Sequence, residues 1–85
     1  MEREEFIKIF DETESNLSSV DGDSAYLGLQ IIAKYTKNLI HCAEHDVIYS
    51  EDINTLCEAG ITKEDVTQLR IMNWGIEGDS LYSFV

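Results

Sequence analysis

The residue types that bind metals or transfer protons come together once, between residues 41 and 46. His41 and His45 are four residues apart, a spacing that can place two zinc ligands on one face of a helix, and Cys42 and Asp46 each follow one of them. A third ligand is not evident nearby in the sequence, and no HExxH motif is present. Histidines near the C-terminal end of a helix also interact favourably with its dipole. We therefore interpret the two histidines as helix-end residues and expect no bound metal.

Motifs of enzyme chemistry are absent from the sequence. It has no glycine-rich phosphate loop, no GxSxG nucleophile elbow and no Cys/His pair in a recognisable context. Cys42 and Cys57 form no CxxC motif, and the N-terminus lacks the basic and apolar stretches of a secretion signal, so we expect two reduced thiols in a cytoplasmic protein. A chain of 85 residues also uses most of its apolar groups in its own core. These features predict a protein that is not an enzyme and binds no cofactor.

The charge of the chain is strongly negative and unevenly distributed. There are 17 Asp and Glu residues against 6 Lys and Arg, a net charge of −11, within a globular composition that is 44% hydrophobic. Residues 1–23 carry eight acids and two bases, residues 24–43 two bases and no acid, and residues 44–85 nine acids and two bases. Such a charge excludes a broad electrostatic footprint on nucleic acid or anionic lipid. The sequence also has no apolar run long enough to span a membrane.

Hydrophobic periodicity predicts a single, mainly α domain over residues 1–85, with an acidic N-terminal helix and turn (1–23) and a helical core with a C-terminal strand (24–85). Four helices are expected, over residues 2–18, 24–44, 51–59 and 63–73. The second has the broadest apolar face, with Gly28 in its middle, so a neighbouring helix is expected to cross it closely there. A small β-ribbon is predicted between residues 46–49 and 80–85.

The boundaries of the third and fourth helices carry clear sequence signals. Ser50 is placed to cap the third helix, and Gly60 occupies the position after its end, where a left-handed backbone favours glycine. Thr62 is placed to cap the fourth helix, with Asp65 three residues on in a variant of the capping box.

The order of elements in residues 24–85 resembles that of winged-helix domains. The resemblance rests on Val47-Ile48-Tyr49 before the Ser50 cap and on the link Ala59-Gly60-Ile61-Thr62. It implies that residues 63–73 take the place of a recognition helix and residues 74–85 that of the wing.

In such a domain the residues that contact DNA would be Lys63, Gln68 and Arg70. The same helix, however, begins with Glu64 and Asp65, and the expected wing has acids and no base. Too few cations remain to neutralise several phosphates, so direct nucleic-acid binding is not expected. A winged-helix transcription regulator or adaptor stays open as an alternative function.

Small size, strong acidity and the lack of catalytic motifs resemble phage- and prophage-encoded inhibitors of the anti-CRISPR and anti-restriction type. The resemblance is one of general character over the whole chain. It implies a non-enzymatic inhibitor that covers a basic groove of a partner protein, such as the nucleic-acid site of a CRISPR or restriction nuclease. The acids that would form the binding surface are Glu2, Glu4, Glu5, Asp11, Glu12, Glu14, Asp46, Glu51, Asp52, Glu58, Glu64 and Asp65.

Two other interpretations of the surface remain open. An apolar patch around Trp74, Tyr82 and Phe84 would make the chain a homodimeric structural or interaction protein. In the second interpretation, the acidic side chains only keep the protein soluble and bind no partner.

Overall fold

A computed structural model describes residues 1–14 and 22–84 of the chain, which form four helices and four strands over these ranges. In chain order they are α1 (Arg3–Glu12), α2 (Gly22–Ile32), β1 (Cys42–Glu44), β2 (Val47–Asp52), α3 (Ile53–Glu58), α4 (Lys63–Ile71), β3 (Gly75–Glu77) and β4 (Ser80–Phe84). The strands make one antiparallel sheet in the order β1-β2-β4-β3. The prediction of a mainly α fold is therefore wrong, because the structure is mixed α and β.

The expected ribbon is the middle of this larger sheet. Residues 47–49 do pair with the end of the chain, with Val47 opposite Phe84 and Tyr49 opposite Tyr82. The sheet is wider than a ribbon because β1 adds to one side of β2 and β3 adds to the free side of β4. Each outer strand has only three residues.

The long helix predicted over 24–44 is the largest error. Helix α2 ends at Ile32, residues 33–41 continue without regular structure, and Cys42 starts a strand. Three distant groups hold the irregular segment: Tyr35 donates to Asp65, Thr36 donates to Glu51, and Ser50 donates to the Leu39 carbonyl. The Tyr35 and Thr36 bonds fix side chains of this segment, while Ser50 satisfies the Leu39 carbonyl and the backbone of residues 41–44 bonds to β2 instead of continuing a helix.

The other predicted helices are shorter in the structure. Helix α1 ends at Glu12 and Thr13 is extended, while the last part of the predicted 2–18 helix lies outside the described residues. Helix α3 starts after Asp52, whose carboxylate accepts a hydrogen bond from the Thr55 N–H at 2.9 Å, so Asp52 and not Ser50 is its N-cap.

Helix α4 begins as the sequence predicts and ends earlier. The Thr62 hydroxyl accepts from the Asp65 N–H at 3.2 Å, which confirms the predicted cap. Gly60 has a φ of +89° at the end of α3, also as expected. The helix ends at Ile71 because the chain turns through Asn73, at a φ of +68°, into β3.

The core lies between the helices and one face of the sheet. Its fully or nearly fully buried side chains are Phe6, Phe10, Ala25, Ile32, Ile48, Ile53, Leu56, Ile61, Val66, Leu69, Trp74 and Leu81. Gly28 is buried against the indole of Trp74, so the close approach expected there comes from a side chain and not from a crossing helix. This contact fixes the end of α4 and the start of β3 against α2.

Candidate functional site

Most cations of the protein are engaged in ion pairs within the chain. Arg3 pairs with Asp79 in the turn between β3 and β4, and Lys63 at the start of α4 lies 3.4 Å from Glu5. Lys34 lies 2.8 Å from Asp65, and Lys8 lies 3.9 Å from Glu12 along α1. Three of these four pairs join different parts of the fold, so the positive charge serves internal contacts.

Arg70 is directed into the protein rather than toward a carboxylate. Its Nη1 donates to the Trp74 carbonyl at 3.0 Å, and its guanidinium lies 5.7 Å from the centre of the Phe10 ring. Its buried Nε has no hydrogen-bond partner among the residues that the structure describes. Lys37 is the remaining lysine, exposed and in no ion pair with any residue that the structure describes.

Ten carboxylates whose side chains the structure describes have no cation within ion-pair distance. They are Glu2, Glu4, Asp11, Glu14, Glu44, Asp46, Asp52, Glu58, Glu64 and Glu77. Nine are exposed, and Asp52 is half-buried as the cap of α3. Seven of the exposed nine belong to the acidic surface expected from sequence; Glu44 and Glu77 were missed.

Some unpaired carboxylates converge where the first turn of α1 meets α3. Glu2 and Glu58 line a depression beside Cys57 together with Met1 and Arg3, and Glu5 lies nearby in its pair with Lys63. Burial is the main cause that raises the pKa of the Cys57 thiol; Glu2 and Glu5 add to it, while the N-terminal ammonium and Arg3 act in the opposite direction. We call Glu2, Glu5 and Glu58 the acidic corner.

Asp65 belongs to the predicted acidic surface but has a structural role. Its carboxylate accepts hydrogen bonds from Tyr35 and Lys34 and so fixes the segment after α2 to the start of α4. Partial burial alone would raise the pKa of Asp65, but the hydrogen bonds from Lys34 and Tyr35 and the charge of Lys34 together lower it. The carboxylate is therefore stabilised in its charged form by partners within the chain.

Glu51 is likewise engaged inside the protein. It is 5% exposed, and its carboxylate accepts from the Thr36 hydroxyl at 2.9 Å and from the Asp52 N–H at 3.0 Å. His41 Nε2 lies 3.4 Å from Glu51 Oε1. Glu51 thus ties the irregular segment to β2 and is not part of an accessible surface.

The cluster at residues 41–46 lies around a strand and not at a helix end. His41 precedes β1, and His45 sits in the turn between β1 and β2 with a φ of +51°. Within the described ranges, no group of three His, Cys, Asp or Glu side chains is arranged to hold a metal ion. Because α2 already ends at Ile32, neither histidine lies at the end of a helix, and the helix-dipole interpretation is wrong.

The residues expected to read DNA do not form a common surface. Lys63 is paired with Glu5, Arg70 points inward, and Gln68 lies in a groove of about 410 Å³ between α2 and α4. The groove is otherwise lined mainly by apolar side chains, among them Leu27 and Met72. The exposed side of α4 offers no unpaired cation for a phosphate.

The sheet face opposite Ile48 and Leu81 carries an aromatic strip, which at Tyr82 borders residues of α1 and α4. Tyr49 and Tyr82 have ring centres 6.3 Å apart, and Tyr82 meets Phe84 edge-on at 5.7 Å. Trp74 is fully buried, so the apolar patch predicted around Trp74, Tyr82 and Phe84 does not form as such. Sequence reasoning missed Tyr49 as part of this surface, although the alternation in residues 47–50 could have placed it opposite Tyr82.

Comparisons of the chain with protein-family models, curated proteins and solved structures find no match. Among the helices of the described residues, none is both long and apolar enough to cross a membrane.

Proposed function

We propose that the protein is a non-enzymatic inhibitor that binds a basic, nucleic-acid-binding surface of a partner protein through its exposed carboxylates. The partner class we propose is a defence nuclease of the CRISPR or restriction type, met in the cytoplasm of the host cell. One observation carries the proposal: four of the six Lys and Arg side chains are in ion pairs within the chain, while nine exposed carboxylates among the described side chains have no cation within ion-pair distance.

Electrostatics explain why such a surface favours a basic partner. Ion pairs inside the chain cancel their own fields at a distance, so the unpaired carboxylates dominate the potential that an approaching protein meets. A complementary potential accelerates association and disfavours acidic partners. Because the same carboxylates repel phosphates, the proposed partner is a protein and not a nucleic acid. Nucleic acid competes with this protein for the basic surface of that partner.

The acidic corner supports the proposal further, because Glu2 and Glu58 stay without an ion-pair partner there while Glu5 is paired with Lys63 and Arg3 with Asp79. A surface built on helices keeps its charges at fixed spacing. Fixed spacing is what allows carboxylates to occupy the positions that phosphates take in a basic groove.

The test uses purified nucleases of both classes and measures binding and DNA cleavage with and without the protein. We expect inhibition, with binding that weakens steeply as salt rises from about 0.05 M to about 0.5 M, because exposed charges are screened over that range. Replacing Glu2, Glu4, Glu58 and Glu64 by glutamine keeps side-chain shape and should weaken binding by about tenfold or more.

A matched control has the same number of exposed polar side chains changed without a change in charge, with Gln30, Asn38, Asn54 and Gln68 replaced by serine. It should bind like the parent protein. Binding that is insensitive to salt, or equal loss in the control, would refute the electrostatic mechanism. A gel shift with duplex DNA at low salt, run in parallel, should be negative; a positive shift would favour the transcription-regulator alternative.

A further inference from the structure

The open face of the sheet is defined by the alternation of its strands. In β2 and β4 the inward side chains Ile48, Ser50, Leu81 and Ser83 are buried. Their neighbours along the strands point the other way and are half-buried or exposed; they are Val47, Tyr49, Tyr82 and Phe84. These four side chains form a partly exposed apolar strip. At its Tyr82 end the strip borders a depression lined also by Phe10 and Asp11 of α1 and by Arg70 of α4.

The strip is continuous because its side chains lie opposite one another on β2 and β4, and because a glycine on β3 leaves room for the Tyr82 ring. Tyr49 lies opposite Tyr82, and Val47 lies opposite Phe84. Gly75 lies opposite Tyr82 on the other side, where a Cβ atom would come within 2.6 Å of the tyrosine hydroxyl oxygen. Glycine at this position therefore lets the Tyr82 ring lie across β3 and extends the aromatic surface over three strands.

Carboxylates border the strip on both sides. The Tyr49 hydroxyl donates to Glu77 Oε2 at 3.1 Å, and Glu44 lies opposite Val47 on β1. The hydrogen bond to Glu77 is the main cause that raises the pKa of Tyr49, and burial and the charges of Glu77 and Glu44 raise it further. At the outward positions of the four strands there is no lysine or arginine.

Aromatic faces beside unpaired carboxylates suit a particular side chain. A guanidinium stacks on aromatic rings through its planar face and at the same time donates hydrogen bonds to a carboxylate. An ammonium ion is compact and more strongly hydrated, so it gains less from the rings. Nucleic-acid bases also stack on such rings, but their phosphates would be repelled by Glu44 and Glu77.

We infer that this sheet face is the part of the protein that binds arginine side chains of an extended segment in its partner. The inference deepens the proposed function, on which it rests, by naming the surface and the residue type that it recognises. A second copy of the chain is a poorer occupant, because two such faces would bring Glu44 and Glu77 against their own like charges.

The experiment measures the affinity of a short, fluorescently labelled peptide of alternating glycine and arginine, and of the same peptide with lysine. We expect the arginine peptide to bind more tightly, and amide signals of β2 and β4 to shift in NMR spectra on its addition. Replacing Glu44 and Glu77 by glutamine, or Phe84 by serine, should weaken arginine-peptide binding by about tenfold.

The matched control replaces Glu12 by glutamine and Asp79 by asparagine, two exposed acids that are paired with Lys8 and Arg3 and do not belong to the nine unpaired carboxylates. It changes the net charge by the same amount and should alter affinity by less than about twofold. Thermal unfolding verifies that each variant folds. If Phe84→Ser does not fold, Tyr49→Phe, which removes only the hydroxyl that binds Glu77, takes its place in the experiment. An equal loss of arginine-peptide affinity in the test and control double variants, or no preference for arginine over lysine, overturns the inference.

The same variants separate this inference from the proposed function. If the nuclease is inhibited equally by the parent protein and by the Glu44 and Glu77 variant, the inference fails and the proposed function stands. If no nuclease is bound while the arginine peptide still depends on the sheet face, the recognition stands and the nuclease is the wrong partner class.

Discussion

Replacing Gly28 by alanine would place a methyl group in space that the Trp74 indole occupies. A Cβ built on Gly28 meets three atoms of the six-membered and pyrrole rings, with Cζ2 at 2.8 Å and two others closer still. Carbon atoms in contact normally lie about 3.5–4.0 Å apart. Trp74 is 0% exposed, so the rigid ring cannot swing into solvent to make room.

Two opposing terms set the size of the effect. Overpacking a core costs about 1–3 kcal/mol, and the contact here is with a rigid buried ring, which favours the upper part of that range. Alanine in place of glycine within a helix raises the free energy of unfolding by about 1 kcal/mol. The free energy of unfolding should therefore fall by about 2 kcal/mol, which for a domain of this size lowers the melting temperature by roughly 8–16 °C.

Urea and thermal unfolding followed by far-UV circular dichroism measure the change. A double-mutant cycle tests the cause: in a Trp74→Phe background, where the atoms that face Gly28 are missing, Gly28→Ala should be close to neutral or stabilising. Gln30→Ala, an exposed site on the same helix, should change stability by less than about 0.5 kcal/mol. An alanine variant as stable as the parent, or an equal loss in both backgrounds, would refute the packing argument.

Three further predictions concern the polar contacts. The folded pKa of Asp65 lies below its usual 3.8, so its contribution is complete above that value and is lost as the pH falls through the folded pKa. Asp65→Asn should thus lower the free energy of unfolding by about 1 kcal/mol at neutral pH, with a difference from the parent that shrinks below about pH 4 in urea titrations. Cys42, which is exposed, should react with a thiol reagent well before Cys57, whose pKa is raised by burial; equal rates would contradict the described positions. Glu51→Ala leaves the Thr36 hydroxyl and the Asp52 N–H without their acceptor and should cost about 1–3 kcal/mol in chemical unfolding, whereas a neutral outcome would mean that water replaces the carboxylate.

Local signals in the sequence predicted local features well. The Thr62 cap and the left-handed Gly60 are confirmed, because both depend on a few neighbouring backbone groups whose needs are the same in any fold. The pairing of residues 47–49 with the chain end was also predictable, since two alternating segments with unpaired backbone groups need partners. These features place the middle of the sheet and the start of α4.

The extent of α2 could not be predicted in this way. Tyr35 and Leu39 fall on the apolar face of an ideal helix, and periodicity does not reveal that both pack on the core from an irregular segment. What decides the outcome is the set of contacts with Asp65, Glu51 and Ser50, which lie 11 to 30 residues away in sequence. Because the helix ends early, Cys42–Glu44 form β1, and this strand places Glu44 at the edge of the aromatic strip.

The candidate site shows why net charge is a poor guide to which charges bind a partner. Lys34, Lys63 and Arg3 each form an ion pair between two parts of the fold, so their partner carboxylates stabilise the fold and are already neutralised. Glu77 has the opposite fate: its one described contact is the Tyr49 hydroxyl, a neutral donor that leaves the negative charge uncompensated. A cation arriving beside Tyr49 and Tyr82 would therefore meet a carboxylate already held in place by a hydrogen bond, so less conformational entropy is lost on binding. That preorganisation, and not the number of acids, distinguishes the sheet face from the rest of the acidic surface.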